Sequence, residues 1–600
     1  MRSRNHIAIA LAVMVVFVGV FLWREHAATG TFGFPLDDSW IHAQFARNIV
    51  LGHGFSYNPG EPAAGSTAPL WTFVAATGYL IAGDPVLGAK ALGILFLGLT
   101  VWLVYTLVKI VTGDPREALF SAVVAASLPR LLWASVSGME VTLAVALSLA
   151  GILMHILHAG SGSRRQYLST VLFGLATLAR PECAVFFVAA MLDRALVGTF
   201  IHWRDLAAKE WVVPVLAHIA LFAAVLLPFL LFSRRFGIGF LPNTAYAKAL
   251  LWNKGLISAF VKSSPRELLK SLSVHPFDYY ISFLQESLKN NPVLFALVPF
   301  GFLRLTLSIP YARDTRYQSF ILPLAVVLFP LAIGIVVPFG DASYQEGRYA
   351  APVAPLMLII GTMGLYAAAS YGARIFSEAK FMGSPARVVL ERSLIWFLMV
   401  LALFAQGRSI WFRSKLYARE VANIEDMQVT LGKWVDQSLP RDAVLAVNDV
   451  GAIAYFSQRK VLDTVGLISP DVLEYRRRGK SADAAMFSLL ASERPDYAIL
   501  FPDWYPQSVR KSIFEPIHRV VLKDNVVCGG DEMVVYALHW EDFDSPEGAS
   551  RRTLQPGGAR PGENAGARGD GARPGENAGE REGGARSGES AGEREGGAHD

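Results

Sequence analysis

Apolar runs close to the length of a membrane crossing recur from residue 6 to residue 406, separated by short polar loops. A helix needs about 20 apolar residues to cross the hydrocarbon core, and helices or closed barrels are the only backbones lipid tolerates there. That one pattern excludes a soluble globular chain. Composition agrees: 18% of the 600 residues are charged and mean hydropathy is +0.36, less charge than a soluble protein carries.

The spans are expected at about 6–23, 87–110, 117–135, 140–158, 167–180, 182–199, 211–232, 291–306, 318–338, 349–371 and 388–406, eleven in all. Arg2 and Arg4 keep the start of the first in the cytoplasm, and no small-residue cleavage site precedes Phe34, so it reads as an uncleaved helix. The run Pro69 to Ala82 is short for a crossing and carries Trp71 and Tyr79, which suits a helix lying in the outer interface. Charge supports that parity. The cytoplasmic loops then hold Lys109 and Arg116, Arg164 and Arg165, Arg204 and Lys209, Arg313 and Arg316, and Arg374, Lys380 and Arg387. If 69–82 crossed, every later loop would flip and the bias would reverse.

Residues 412–543 have the composition of a soluble α/β domain, here placed outside the cytoplasm. Val444 to Val447, Tyr497 to Phe501 and Met533 to Tyr536 read as strands and Val450 to Phe456 as a helix or turn; no glycine-rich phosphate fingerprint occurs. Residues 544–600 repeat Ala559 to Gly566 as Ala572 to Gly579 and hold almost no apolar side chains, so disorder is expected. Of two cysteines, Cys183 lies in an apolar run and Cys528 in the soluble region, so neither a disulfide nor a thiolate metal site is expected. The net charge of +5 sits mostly in short loops, with no basic face interleaved with aromatics, which argues against nucleic acid.

Under this topology the unusual polar residues fall on the outer face. Asp37 and Asp38 lie in the first outer loop, residues 24–86. Glu140 opens a span, and Arg180 and Glu182 sit at the next outer turn. Asn243, Tyr246 and Lys248 are in the long outer loop, 233–290. Glu346, Arg348 and Tyr349 end another span. An enzyme on that face commonly takes an activated sugar from a lipid carrier. A carboxylate would remove the acceptor's proton, and Arg or Lys would hold the departing phosphate. The expectation is Asp37 as base, with Asp38 a supporting or metal-binding partner, because sequence neighbours point apart. Lys248, Arg348 and Arg180 would grip phosphate. Trp40, His42, Tyr57, Glu140, Glu182, Asn243, Tyr246 and Tyr349 would line the substrate site. Each also has a structural reading: helix caps and helix-end charges for the acids, snorkelling for the cations, interfacial anchoring for Trp40 and Tyr57. His42 and His53 lack paired ligand spacing, so no metal ligand is assigned, though a divalent cation stays open.

The ordered set Asp37-Asp38, Tyr57-Asn58-Pro59-Gly60-Glu61, Ser137-Gly138-Met139-Glu140, Arg180-Pro181-Glu182, Leu241-Pro242-Asn243-Thr244 with Tyr246 and Lys248, and Arg348-Tyr349 resembles the GT-C superfamily of polyprenyl-phosphate-dependent glycosyltransferases. Within it the chain is most similar to the mycobacterial terminal arabinofuranosyltransferase type, whose outer domain the stretches Asp449 to Ile453 and Asp463 to Leu467 resemble. The resemblance covers about residues 30–540. It implies a polytopic catalytic module, 1–411, in a bacterial inner membrane, and an inverting transfer with a first-loop aspartate as base. An arabinofuranose or mannose-like sugar would move from a polyprenyl phosphate to an extracytoplasmic glycan, lipid or protein. The chain departs at Ser39-Trp40-Ile41-His42-Ala43-Gln44 and at Gly65-Ser66-Thr67-Ala68, positions that bear on which sugar fits. Two other classes remain: a flippase for lipid-linked sugars, expected to carry midplane acids in repeated halves, and a scaffold whose outer domain binds a partner.

Overall fold

The computed structural model describes residues 2–159, 163–200, 208–252, 254–308, 319–379 and 384–544. The expected disordered tail, and Arg204, Arg313, Arg316 and Lys380 of the expected cytoplasmic loops, lie outside them.

The chain is a mostly helical, multi-pass membrane protein with a small C-terminal sheet. Helix occurs in each of the eleven expected stretches, but 117–135 is broken into Pro115–Ala126 and Pro129–Val136, bent by 53°. Among the described residues six helices are long and apolar enough to cross by themselves, and the bent pair Pro115–Ala126 and Pro129–Val136 would make a seventh. Pro69–Ala82, Gln166–Ala179, Pro292–Leu307 and Ile321–Val336 are apolar but shorter. At 1.5 Å per residue, 14 residues reach only about 21 Å against a core of about 30 Å. The outward faces carry what lipid wants, such as Leu95 and Trp102 on Pro85–Thr112 and Trp396, Val400 and Phe404 on Ser384–Ile424.

Inside the bundle, Glu25 and Lys90 form a buried ion pair. Lys90 Nζ donates to Glu25 Oε2 (2.9 Å), to the Val136 carbonyl (2.8 Å) and to the Tyr417 hydroxyl (2.7 Å), while Gly33 N–H donates to Glu25 Oε1 (2.8 Å). Every heavy partner is satisfied, so this buried ion pair ties the first helix, the second long helix and the last long helix together.

The soluble region is a five-stranded sheet in the order β2-β1-β3-β5-β4, with β1 Val444–Val447, β2 Lys460–Asp463, β3 Tyr497–Leu500, β4 Phe514–Val521 and β5 Glu532–Leu538. β2, β1 and β3 run parallel, with Val447 opposite Asp463 and Ile499. β5 and β4 are added antiparallel, with Ala498 opposite Tyr536. β1, β3 and β5 read correctly from sequence; β2 and β4, with their alternating exposed residues, did not stand out. The boundary expected at 411/412 falls inside the 41-residue helix Ser384–Ile424, which runs on through Glu425–Val429 into Thr430–Ser438.

Sheet and bundle are stitched by the segment between the first helix and Pro69–Ala82. Arg47 Nη1 donates to the Tyr455 carbonyl (2.7 Å) and the Tyr57 hydroxyl donates to the Val450 carbonyl. Asn58 pairs with the Val461 backbone in both directions (3.0 and 3.1 Å), which covers the open edge of β2.

Candidate active site

Helix Asp37–Val50 places the two aspartates in its first turn, where the helix dipole favours negative charge. Successive residues of a helix are turned about 100° apart, so the two carboxylates meet different walls. Asp37 faces the sheet domain. Its Oδ2 accepts from Gly451 N–H (2.6 Å) and its Oδ1 from Ala452 N–H (2.7 Å), the start of helix Gly451–Ser457. A Cβ at Gly451 would stand 2.1 Å from the Asp37 carbonyl oxygen, so only glycine admits this approach. Burial, and after it the Asp449 charge, hold Asp37 well above the ordinary carboxylate range despite those hydrogen bonds.

Asp38 faces the bundle. Its side chain keeps 30% of its exposure, and Arg348 Nη2 donates to Oδ2 at 2.6 Å. Burial works to raise Asp38, but Arg348 first and then Lys248 overcome it and hold the group below its usual value. Among the described residues Oδ1 accepts no hydrogen bond.

The cations converge on one tyrosine. The Arg180 guanidinium lies 4.9 Å, Arg348 5.3 Å and Lys248 Nζ 5.8 Å from the centre of the Tyr349 ring, and Lys248 Nζ donates to the Tyr349 hydroxyl (3.1 Å). Burial alone would raise this phenol; Lys248, Arg348 and Arg180 together bring it below its ordinary value. Three cations gathered at one ring offer an incoming anion charged donors, although Arg180 and Arg348 are already paired with Glu140, Glu182 and Asp38. Arg180 is shared: Nη1 donates to Glu140 Oε1 (2.6 Å) and Nε to Glu182 Oε1 (2.7 Å). His42 Nε2 lies 3.4 Å from Glu140 Oε2. Glu140, Glu182 and His42 therefore orient Arg180 and border the cluster.

The turn before Arg348 is strained. Gln345 (φ 47°, ψ 60°) and Glu346 (φ 59°, ψ 21°) are left-handed and Gly347 follows at φ +67°. Left-handed non-glycine residues cost on the order of 1 kcal/mol each and persist only where surroundings enforce them. The enforcing group is Arg413, which pairs with Glu346 and donates to Glu286 (2.6 Å) and Asn290 (3.1 Å). Glu346 thus braces the turn instead of facing the cluster.

The other sequence-predicted residues lie at the seam with the sheet domain. Asn243 donates to the Ile468 carbonyl (2.9 Å) and accepts from Ile238 N–H (3.1 Å). Tyr246 packs against a cluster that includes Val472 and Leu473. Tyr57 is 1% exposed, and Trp40, 3% exposed, is enclosed by Phe34, Tyr455 and Phe456. Neither ring presents an open face for stacking. Sequence reasoning did not single out Arg413, which sits on a long helix with no local signal, and it saw Asp449 only as part of a domain motif. Among the described residues no group of three His, Cys, Asp or Glu is placed to hold a metal ion.

A carboxylate beside a buried cation cluster thus sits on a multi-pass helical bundle capped by a small sheet, a fold shared with solved membrane glycosyltransferases. Residues 66–232 match the dolichyl-phosphate-mannose-protein mannosyltransferase family, and residues 421–536 match a domain family of unknown function. The structure is similar to ArnT from Cupriavidus metallidurans bound to undecaprenyl phosphate: TM-score 0.53, 14% identity, 87% of this chain and 97% of that one. It is also similar to the Archaeoglobus fulgidus oligosaccharyltransferase in its apo form, with TM-score 0.54 and 12% identity over 82% of this chain and 69% of that one. The likeness extends to the oligosaccharyltransferase AglB from Archaeoglobus fulgidus in complex with an inhibitory peptide and a dolichol-phosphate (TM-score 0.53, 13% identity, 82% and 69%). No curated protein matches the sequence.

Proposed function

We propose that the chain is a membrane glycosyltransferase that takes a sugar from a polyprenyl-phosphate donor on the outer face of a bacterial cytoplasmic membrane. The convergence of Arg180, Lys248 and Arg348 on Tyr349, next to a partly exposed Asp38, carries this reading. The mannosyltransferase family match and the two structures with lipid phosphates support it.

Asp38 is the base. Its Oδ1 takes the proton of the acceptor hydroxyl, and the oxygen attacks the anomeric carbon from the face opposite the phosphate. The bond from that carbon to the phosphate oxygen breaks, its electron pair stays on the phosphate, and configuration inverts. Lys248 and Arg348 stabilise the charge as it develops. Asp37, committed to two backbone N–H groups, fixes the sheet domain over the site. The sugar is arabinofuranose or mannose-like, and the acceptor is an extracytoplasmic glycan, lipid or protein.

The test is purified protein in liposomes with polyprenyl-phosphate pentose and hexose donors, with and without chelator. Consumption of a donor with a new glycosidic bond is expected. Lipid moving between leaflets with no bond made would replace transferase by flippase.

A further inference from the structure

The sheet domain meets the bundle through the loop after β1. In the order β2-β1-β3 the chain leaves β1 to one side and returns past it to the other, so the carboxyl end of β1 lies at the point where the strand order reverses. Crevices at that point are where open α/β sheets take ligands. The loop runs Asn448-Asp449-Val450-Gly451-Ala452, and three of its residues are fixed to the segment between the first helix and Pro69–Ala82: Gly451 and Ala452 by Asp37, and Val450 by Tyr57.

Asn448 is different. It is 1% exposed, and neither its amide nitrogen nor its amide oxygen has a hydrogen-bond partner. Buried amides are almost always paired, because leaving them unpaired is costly. The Trp40 indole N–H, in the helix that begins at Asp37, is likewise buried and unpaired. Its ring lies against Tyr455 and Phe456, in the helix that begins at Gly451. Asp449 carries one hydrogen bond, from Gln428 Nε2 to Oδ2 (2.8 Å), and lies close enough to Asp37 and Asp38 for the three charges to act on one another.

We infer that Asn448, with Asp449 and the Trp40 indole N–H, binds the acceptor, and that the acceptor is a sugar presenting adjacent hydroxyls. This rests on the transferase reading and names its second substrate. An amide offers two donors and an acceptor, and each hydroxyl both donates and accepts. A pair of neighbouring hydroxyls therefore satisfies groups that the protein leaves unsatisfied. A serine or threonine hydroxyl by itself pairs only one side of the amide. The sheet domain, matched only to a family of unknown function, thereby acquires a role in acceptor choice.

The test uses the full chain in detergent with a polyprenyl-phosphate donor that the wild type consumes. The acceptor probes are octyl mannoside, octyl arabinofuranoside and a serine- and threonine-containing peptide. Asn448→Ala and the near-isosteric Asn448→Leu should raise the glycoside's KM at least tenfold while the donor's KM moves less than twofold. Trp40→Phe should raise it by a smaller factor. Because the amide makes no bond inside the protein, the near-isosteric Asn448→Leu should melt at or above the wild-type temperature, whereas Asn448→Ala also carries the cost of the void it leaves. Melting lowered in Asn448→Leu, an unchanged glycoside KM, or transfer to the peptide alone would each overturn the assignment. Failure of the wild type to consume any donor would count against the transferase itself, and so the two outcomes stay distinct.

Discussion

Substituting the two adjacent aspartates one at a time separates chemistry from assembly. Asp38→Asn leaves a side chain of the same shape with no basic oxygen. A positioned base is worth 10²- to 10⁴-fold, or about 3–5 kcal/mol of barrier. Turnover should therefore fall by at least 100-fold, while lipid phosphate binds as tightly as before or more tightly, since one anion beside Arg348 has been neutralised. Asp37→Asn retains one acceptor oxygen but turns an amide NH₂ toward a backbone N–H that now bonds Oδ1 or Oδ2 at 2.6–2.7 Å. Losing one hydrogen bond and leaving one buried donor unpaired costs about 2–4 kcal/mol of docking stability. Its melting temperature should drop while turnover stays within roughly tenfold of wild type. Melting by intrinsic fluorescence and turnover on a labelled polyprenyl-phosphate donor read both effects. Normal melting with abolished turnover in Asp37→Asn, or full turnover in Asp38→Asn, would refute the division of labour.

Other consequences follow from the same contacts. Gly451→Ala forces a Cβ to within 2.1 Å of the Asp37 carbonyl oxygen, so limited proteolysis should release the sheet domain from the variant and not from wild type. Arg413→Gln frees Glu346 and relaxes the left-handed turn before Arg348; the donor's KM should rise severalfold with the acceptor's unchanged. Burial, offset in part by the Gln428 hydrogen bond, pushes Asp449 up to about 6 from an ordinary 3.8. Between about pH 4 and 6 the folded chain then holds a proton that the unfolded chain has released, so stability falls as pH rises through that window, by up to about 3 kcal/mol. Asp449→Asn should remove this dependence: unfolding free energy of wild type minus variant should fall from pH 4.5 to 7.5, and a flat difference would contradict it.

Much of this was legible in the sequence because the signals are local. A span is a run of apolar residues, and each expected stretch holds helix, though among the described residues six or seven are long enough to cross. The outer acids and cations were legible as a set, since the positive-inside rule assigns whole loops at once, and Asp38, Arg180, Lys248, Arg348 and Tyr349 do meet. Their division of labour was not. Asp37 and Asp38 differ by one residue, and what separates them is a partner 414 positions away for one and 310 for the other. No local pattern encodes which wall a helix turn presents. Trp40 and Tyr57 read as sugar-stacking or interfacial aromatics, yet tertiary packing encloses both beneath the sheet domain. Glu25, Lys90 and Tyr417 were invisible because a buried ion pair inside apolar runs looks like isolated charges until the helices come together.

The most direct test of the phosphate-gripping cluster is the affinity of purified protein for undecaprenyl phosphate. Lys248→Gln and Arg348→Gln should each weaken it by ten- to a hundredfold, the loss of one charged hydrogen bond. Arg47→Gln, whose guanidinium serves the Tyr455 carbonyl at the seam, should leave it unchanged. Equal affinity in all three variants and the wild type would contradict the account.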